Sequence, residues 1–285
     1  MKLGRGFALL AAAMLALVIA AVPVSARAPH RKAHHHKVHK KPLAKVEPEP
    51  GQFYSDGHAI DEIRCIPPGD GKFPIVLLLH GCAPKGFATP QFEVMCTELA
   101  QHGFYTMYIE YYGQASTPDC RDLAMVPTFS LTPNVPLPDD DWMRTVLAAR
   151  TFIGAAPHAD ASRVGVVGFS FGATLGVITA ALNPSTINAI VDYYGYSNER
   201  VEDAVVRAFR FPPTLILHGD EDRRAQVTDS IHLRDAIRKH QRDTELRIYP
   251  GVEHAFNFHD AVGYDEGASK DAWSLTLSFL ERHLK

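Results

Sequence analysis

Three separated stretches of this 285-residue chain could do chemistry together. The first is "RVGVVGFSFGATLGV", in which Gly168-Phe169-Ser170-Phe171-Gly172 fits G-x-S-x-G. The pattern alone is weak, since it arises by chance in roughly one chain in ten of this length. Its context raises it, because a continuous apolar run precedes it and small, helix-packing residues follow. A serine on so tight a strand-to-helix turn exposes its Oγ, and the flanking glycines spare a collision with the neighbouring backbone. A serine is a poor nucleophile at neutral pH, so it needs a base beside it and a carboxylate to orient that base.

Two later stretches supply those partners. "LILHGDEDRRA" ends an apolar run and offers Asp220, Glu221 and Asp222, and "IYPGVEHAFNF" offers His254. The order Ser170, acid, His254 is the chain order that accompanies a G-x-S-x-G serine in a sheet of this kind. Asp222 stands three residues past Gly219, which leaves room to turn toward the histidine; Asp220 is the alternative and reads as a turn former. The oxyanion of an acyl-transfer reaction needs backbone donors. The amide of Phe171, just after the serine, is one, and "LLLHGCAPKG" offers that of Cys82 as the other. His80 precedes the serine in the chain and reads as a structural residue that shapes this turn.

The elements that must hold these residues alternate. Phe73–Gly81, Phe104–Gly113 and Arg163–Phe169 read as buried strands, with three more near Ala189, Pro213 and Glu245. Gln91–Gly103, Asp139–Gly154, Ala173–Leu182, Val227–His240 and Asp271–His283 read as helices. Strands apolar on both faces, alternating with helices, make a mostly parallel, doubly wound sheet covered on both sides, with chemistry at the strands' carboxyl ends. About six core strands and one long irregular insertion favour an open sheet over an eight-stranded barrel.

The ends of the chain carry other signals. Lys2 and Arg5 precede an apolar run, Phe7 to Val22, and then Val24-Ser25-Ala26, so residues 1–26 read as a cleaved secretory signal peptide. The run is short for a membrane span, and no stable membrane insertion is expected after cleavage. Residues 27–50 hold seven Lys/Arg, five His and two Glu. With almost nothing apolar to bury, they read as a disordered linker. Residues 51–285 form the folded domain. Beyond residue 50 there are 20 Lys/Arg against 30 Asp/Glu, so a nucleic-acid partner is not expected. Four cysteines, Cys65, Cys82, Cys96 and Cys120, in an exported chain suggest disulfides in one of three pairings. Cys82–Cys120 is favoured, because each follows a core strand at the same rim.

In these residues the chain resembles the dienelactone hydrolase family of the α/β-hydrolase superfamily, over roughly Pro50 to Leu284. The resemblance rests on "RVGVVGFSFGA", "VDYYG", "LILHGDEDRRA", "YPGVEHAF" and "AWSLTLSFLERHL". It implies the α/β-hydrolase fold, with Ser170 as nucleophile, Asp222 as acid and His254 as base. The founding members carry Cys where this chain has Ser170, a Glu in the loop that here reads His-Gly-Cys, and an Arg near the positions of Asn257 and Phe258. The serine makes the chain more similar to a general esterase. The expected reaction is hydrolysis of a small ester or lactone through an acyl-enzyme, with no cofactor or metal. A non-catalytic binding relative and a small-substrate peptidase or thioesterase are the alternatives. The Pro-rich segment Gly113–Asp141 is expected to wall the acyl pocket, and Tyr111, Tyr112, Phe129 and Tyr194 to line it. Ser197–Phe211 is too short for a lid domain.

Overall fold

The computed structural model describes residues 44–82, 89–111, 140–240 and 243–285. Its centre is one eight-stranded sheet, in the order β1-β2-β4-β3-β5-β6-β7-β8. The strands are β1 (Glu49–Ser55), β2 (His58–Cys65), β3 (Phe73–Leu79), β4 (Tyr105–Ile109), β5 (Ala159–Phe169), β6 (Ala189–Tyr193), β7 (Thr214–Gly219) and β8 (Thr244–Tyr249). The six strands from β3 onward pair in parallel, while β1 and β2 pair antiparallel with each other and β2 antiparallel with β4. Their residues explain the arrangement. β3, β4, β6 and β7 are buried almost throughout, as strands covered on both faces must be. The sheet is the expected open, doubly wound α/β-hydrolase arrangement.

The hairpin β1–β2 is an addition to the strands read from sequence. Its residues alternate exposed and buried, the signature of an edge with one solvated face. It turns on Asp56-Gly57, both at positive φ (49° and 80°), the conformation a two-residue hairpin turn demands.

Helices cover both faces. On one side α2 (Asp140–Gly154), α3 (Phe171–Leu182), α4 (Glu199–Arg207) and α5 (Val227–Arg238) close over Leu77, Leu79, Val166 and Ile216, and bring Val146, Val177, Val201 and Leu233 to that core. On the other side α1 (Thr89–Gln101) and α6 (Glu266–Leu284) bring Phe92, Leu99, Phe279 and Leu280 onto Val76, Leu78, Val167 and Val191. The short helix α4 was not anticipated. It is strongly amphipathic, its buried face is Val201 and Val205, and Asn198 caps it by accepting from the Arg200 and Val201 amides.

Packing α1 against β2 brings Cys96 onto Cys65, and the two form a disulfide with 5.7 Å between their Cα atoms. Cys82 is disulfide-bonded as well. The favoured Cys82–Cys120 bridge involves residue 120, which lies outside the described residues, as do the expected leader, most of the linker, Tyr112 and Phe129. The expected pocket wall Gly113–Asp141 does too, apart from Asp140 and Asp141, which open α2.

Candidate active site

Ser170 stands between β5 and α3 with φ 52° and ψ −118°, a backbone conformation that costs a non-glycine residue energy and that surrounding structure must impose. The neighbours impose it. A Cβ on Gly168 would lie 2.5 Å from the Ala173 Cα, and one on Gly172 would meet the carbonyls of Leu79 and His80, with the Leu79 carbon at 2.7 Å. The serine amide donates to the Tyr193 carbonyl at 2.8 Å, which pins the turn to the end of β6.

β7 and β8 end on the same rim and deliver the other two groups. His254 Nε2 lies 3.1 Å from Ser170 Oγ, and its Nδ1 lies 2.6 Å from Asp222 Oδ2. The Asp222 side chain has no solvent exposure. Its Oδ1 accepts from the backbone amides of Arg224 (2.8 Å) and Ala225 (3.0 Å), so the loop's own turn fixes the carboxylate. Burial would raise this carboxyl, but hydrogen bonds and charges from His218 and His254 outweigh it and hold it well below the usual carboxylate range. Asp220 does a different job: its Oδ1 accepts from the Gly251 amide at 2.6 Å, on an exposed turn.

Gly81 presses against Ser170, since a Cβ there would be 3.2 Å from that of the serine. The segment carrying the Cys82 amide therefore borders Ser170, as Phe171 does by chain continuity. His80 is engaged elsewhere. Its Nε2 lies 3.1 Å from Glu110 Oε1, and Tyr108 Oη donates to the other oxygen of Glu110 at 2.9 Å.

A cavity of about 610 Å³ opens over Ser170 and His254. Gly81, Cys82 and Tyr194 line it near the serine, and Phe92, Phe169 and Phe258 form an aromatic wall. Phe258 stands 5.3 Å from Phe169 and 5.7 Å from Phe92, centroid to centroid. Tyr194 packs its ring 4.6 Å from that of His254 and donates to Asn257 Oδ1 at 2.5 Å. Tyr111, expected on the wall, is not there. It is fully buried, stacked 4.1 Å from His80, and donates to the His80 carbonyl at 2.6 Å, so it buttresses the turn from behind.

Sequence reasoning missed Phe92 and Phe258 as wall residues, because only the packing of α1 beside the His254 loop brings them together. It also missed Arg223 and Arg224, which reach the cavity rim from the Asp222 loop. A third omission is His218, wholly buried in β7, whose Nε2 lies 3.3 Å from Asp222 Oδ2.

Comparison with known proteins agrees with this architecture. A family profile described as the dienelactone hydrolase family matches residues 60–284. A Salmonella typhimurium protein assigned as a carboxymethylenebutenolidase is 25% identical over 224 residues, covering 75% of this chain and 79% of that one. A Bradyrhizobium protein assigned as a 2-oxo-3-(5-oxofuran-2-ylidene)propanoate lactonase is 24% identical over 219 residues, covering 75% and 86%. Among solved structures, one from Klebsiella pneumoniae assigned as a dienelactone hydrolase superposes with a TM-score of 0.69 at 24% identity, covering 84% of this chain and all of that one. That likeness speaks to the fold.

Proposed function

Because the chain belongs to the dienelactone hydrolase family, and Ser170, His254 and Asp222 form one hydrogen-bonded line at its cavity, we propose that it is a serine hydrolase that cleaves a small carboxylic ester or lactone through an acyl-enzyme. The observation that carries this reading is the pair of contacts on His254, 3.1 Å to Ser170 Oγ and 2.6 Å to Asp222 Oδ2.

The chemistry follows from those contacts. Asp222, kept ionised and out of water, accepts the Nδ1–H of His254, which leaves Nε2 as the free base facing the serine. As Ser170 Oγ attacks the carbonyl, its proton passes to Nε2. The carbonyl oxygen becomes an oxyanion beside the amides of Phe171 and Cys82. Collapse of the tetrahedral intermediate breaks the bond to the alkoxy group, which leaves with the Nε2 proton. In an ester that group departs as the alcohol; in a lactone it stays attached through the opened ring. Water, giving its proton to the same nitrogen, then attacks the acyl-enzyme; Ser170 takes that proton back as the acid is released. The aromatic wall of Phe92, Phe169 and Phe258 suits an apolar acyl or alkoxy group beside the reacting carbonyl.

A non-catalytic binding protein would have no use for a strained Ser170 aimed at a histidine that an ionised, buried carboxylate orients. We also infer that the chain is exported, its first 26 residues serving as leader and the tract after them as tether; the expected boundary at residue 50 moves forward, because Val46 is buried and β1 begins at Glu49. The Cys65–Cys96 disulfide supports an oxidising destination. The mature protein is expected to hydrolyse short-chain p-nitrophenyl esters, and Ser170→Ala to lose at least about a thousandfold in rate. Activity that survives in Ser170→Ala would overturn the assignment.

A further inference from the structure

Asp222 stands between two imidazoles. His254 reaches its Oδ2 from the cavity side at 2.6 Å, and His218 reaches the same oxygen from the core side at 3.3 Å. His218 has no solvent exposure, and the mechanism above does not use it. Its other contacts settle where its proton sits. Nε2 lies 2.9 Å from the Ala225 carbonyl, which can only accept, so Nε2 carries the hydrogen. Nδ1 lies 2.6 Å from Ser230 Oγ, whose hydroxyl can donate to it. The Nε2–H therefore points between the Ala225 carbonyl and Asp222 Oδ2. Ala225 is held twice, because its own amide donates to Asp222 Oδ1. Asp222, Ala225 and His218 close one ring of hydrogen bonds behind the site.

We propose that His218 is a positioning residue for the hydrolysis: it fixes the Asp222 turn through Ala225 and shares Oδ2 with His254, so that His254 stays a free base at lower pH. The inference rests on reading Ser170, His254 and Asp222 as the catalytic set. Its physical basis is competition for one oxygen. A donor on Oδ2 draws charge from the carboxylate and weakens its hold on the His254 Nδ1 proton, which in turn makes His254 less ready to take a second proton at Nε2. Without His218 the whole carboxylate charge would face His254.

The groups around His218 act in the same direction. It faces Asp222 on its own loop, Asp192 at the end of β6 and Ser230 on α5. Asp229, also on α5, acts on Asp192. Tyr194 is a further titratable neighbour of Asp222, with its hydroxyl turned to Asn257, and Arg223, Arg224 and Glu253 line the cavity beside His254. Burial opposes a second proton on His218. The hydrogen bond and charge of Asp222, the Ala225 carbonyl and the charge of Asp192 outweigh that and leave its affinity raised. In acid His218 thus tends to gain positive charge, which strengthens its competition with His254.

The test compares wild type, His218→Gln and His218→Leu by the pH dependence of kcat/KM for p-nitrophenyl acetate from pH 4.5 to 9. Gln keeps a neutral donor near Oδ2, and Leu keeps none. A hydrogen bond to a charged carboxylate is strong enough to shift a titration by about one pH unit. The acid limb of the profile should therefore move up by about one unit in His218→Leu, with His218→Gln between it and wild type. A merely structural histidine would lower the plateau and leave the limb where it was, and that result in folded variants overturns the inference. If His218→Leu does not fold, ring-nitrogen NMR of the wild type decides: a proton on Nε2 supports the inference, and a proton on Nδ1 alone overturns it. A wild type with no esterase activity at any pH overturns the proposed function together with this inference. An active wild type whose limb does not move in the variants overturns the inference alone.

Discussion

Replacing Gly172 by alanine tests how the nucleophile turn is built. The added methyl would point into the strand-end loop of β3. It would lie 2.7 Å from the Leu79 carbonyl carbon and closer still to the carbonyl oxygens of Leu79 and His80, where real Cβ atoms essentially never come within 3.0 Å. These are backbone atoms, so no side-chain rotation relieves the clash. The start of α3 and the His80–Cys82 segment must separate by several tenths of an ångström. Overpacking of this kind costs about 1–3 kcal/mol, which for a domain of this size lowers the melting temperature by roughly 2–12 °C. The catalytic effect should be larger in proportion. The two segments forced apart carry the Phe171 and Cys82 amides, and misplacing or losing one oxyanion donor costs about 10²-fold in kcat. Steady-state kinetics on a p-nitrophenyl ester, with thermal melting on the same samples, should show that kcat loss with KM changed by only a few fold. Gly251→Ala is the control. Gly251 has φ 73° and open space around its Cα, so alanine there costs about 1–2 kcal/mol through backbone strain alone and should leave kcat intact. A Gly172→Ala protein with wild-type kcat would refute the assembly of the site from these two segments.

Asp222→Asn should lower kcat by about 10⁴-fold without loss of fold, since an amide can still accept the Arg224 and Ala225 bonds but no longer fixes the His254 tautomer. Asp220→Asn should stay within a few fold of wild type, and the opposite ranking would move the acid to Asp220. Cys65 and Cys96 are 31 positions apart, so Cys65→Ser with Cys96→Ser should cost about 3.7 kcal/mol by denaturant unfolding. Recovery of both thiols as free, alkylated residues from unreduced protein would remove that bridge. Burial pushes the Glu62 carboxyl up to about 7 against the opposing charge of Arg64, and that of Asp192 up to about 6. The folded chain thus keeps these protons where the unfolded chain has lost them. Their stabilisation is complete below the ordinary carboxylate range and is lost as pH rises through about 6 to 7. The melting temperature should therefore decline less from pH 5 to pH 8 in Glu62→Gln than in wild type, and equal slopes would count against the buried proton.

The proposed catalytic set was legible because each member follows the end of a parallel strand, buried for β5 and β7 and at the half-exposed edge for β8. "VVGF", "LILHG" and "RIYPG" announce strands by apolar runs ending at or near glycine, and Ser170, Asp222 and His254 follow in the order the fold requires. The hairpin β1–β2 was less visible, since only one face of it is buried and its inward residues are few; the Asp56-Gly57 turn was its clearest signal. The cysteine pairing was legible in part: favouring Cys82–Cys120 leaves Cys65 and Cys96 to each other, and these two are bonded, but the way α1 lies across β2 to bring them together is something no spacing reports. Tyr111 shows a related limit. A strand-end tyrosine can face the cavity or the layer beneath it, and here its hydroxyl finds the His80 carbonyl. His218 was hidden by its context, a polar residue near the end of a largely apolar strand, and only the loop folding back over it turns it toward Asp222.

The most direct measurement of the central claim is covalent labelling of the mature protein with a fluorophosphonate probe, followed by peptide mapping. Labelling reports a serine made nucleophilic by its neighbours and requires no knowledge of the natural substrate. One adduct on the peptide containing Ser170 is predicted, absent from Ser170→Ala and strongly reduced in His254→Ala. No adduct, or an adduct that persists in Ser170→Ala, would contradict the account.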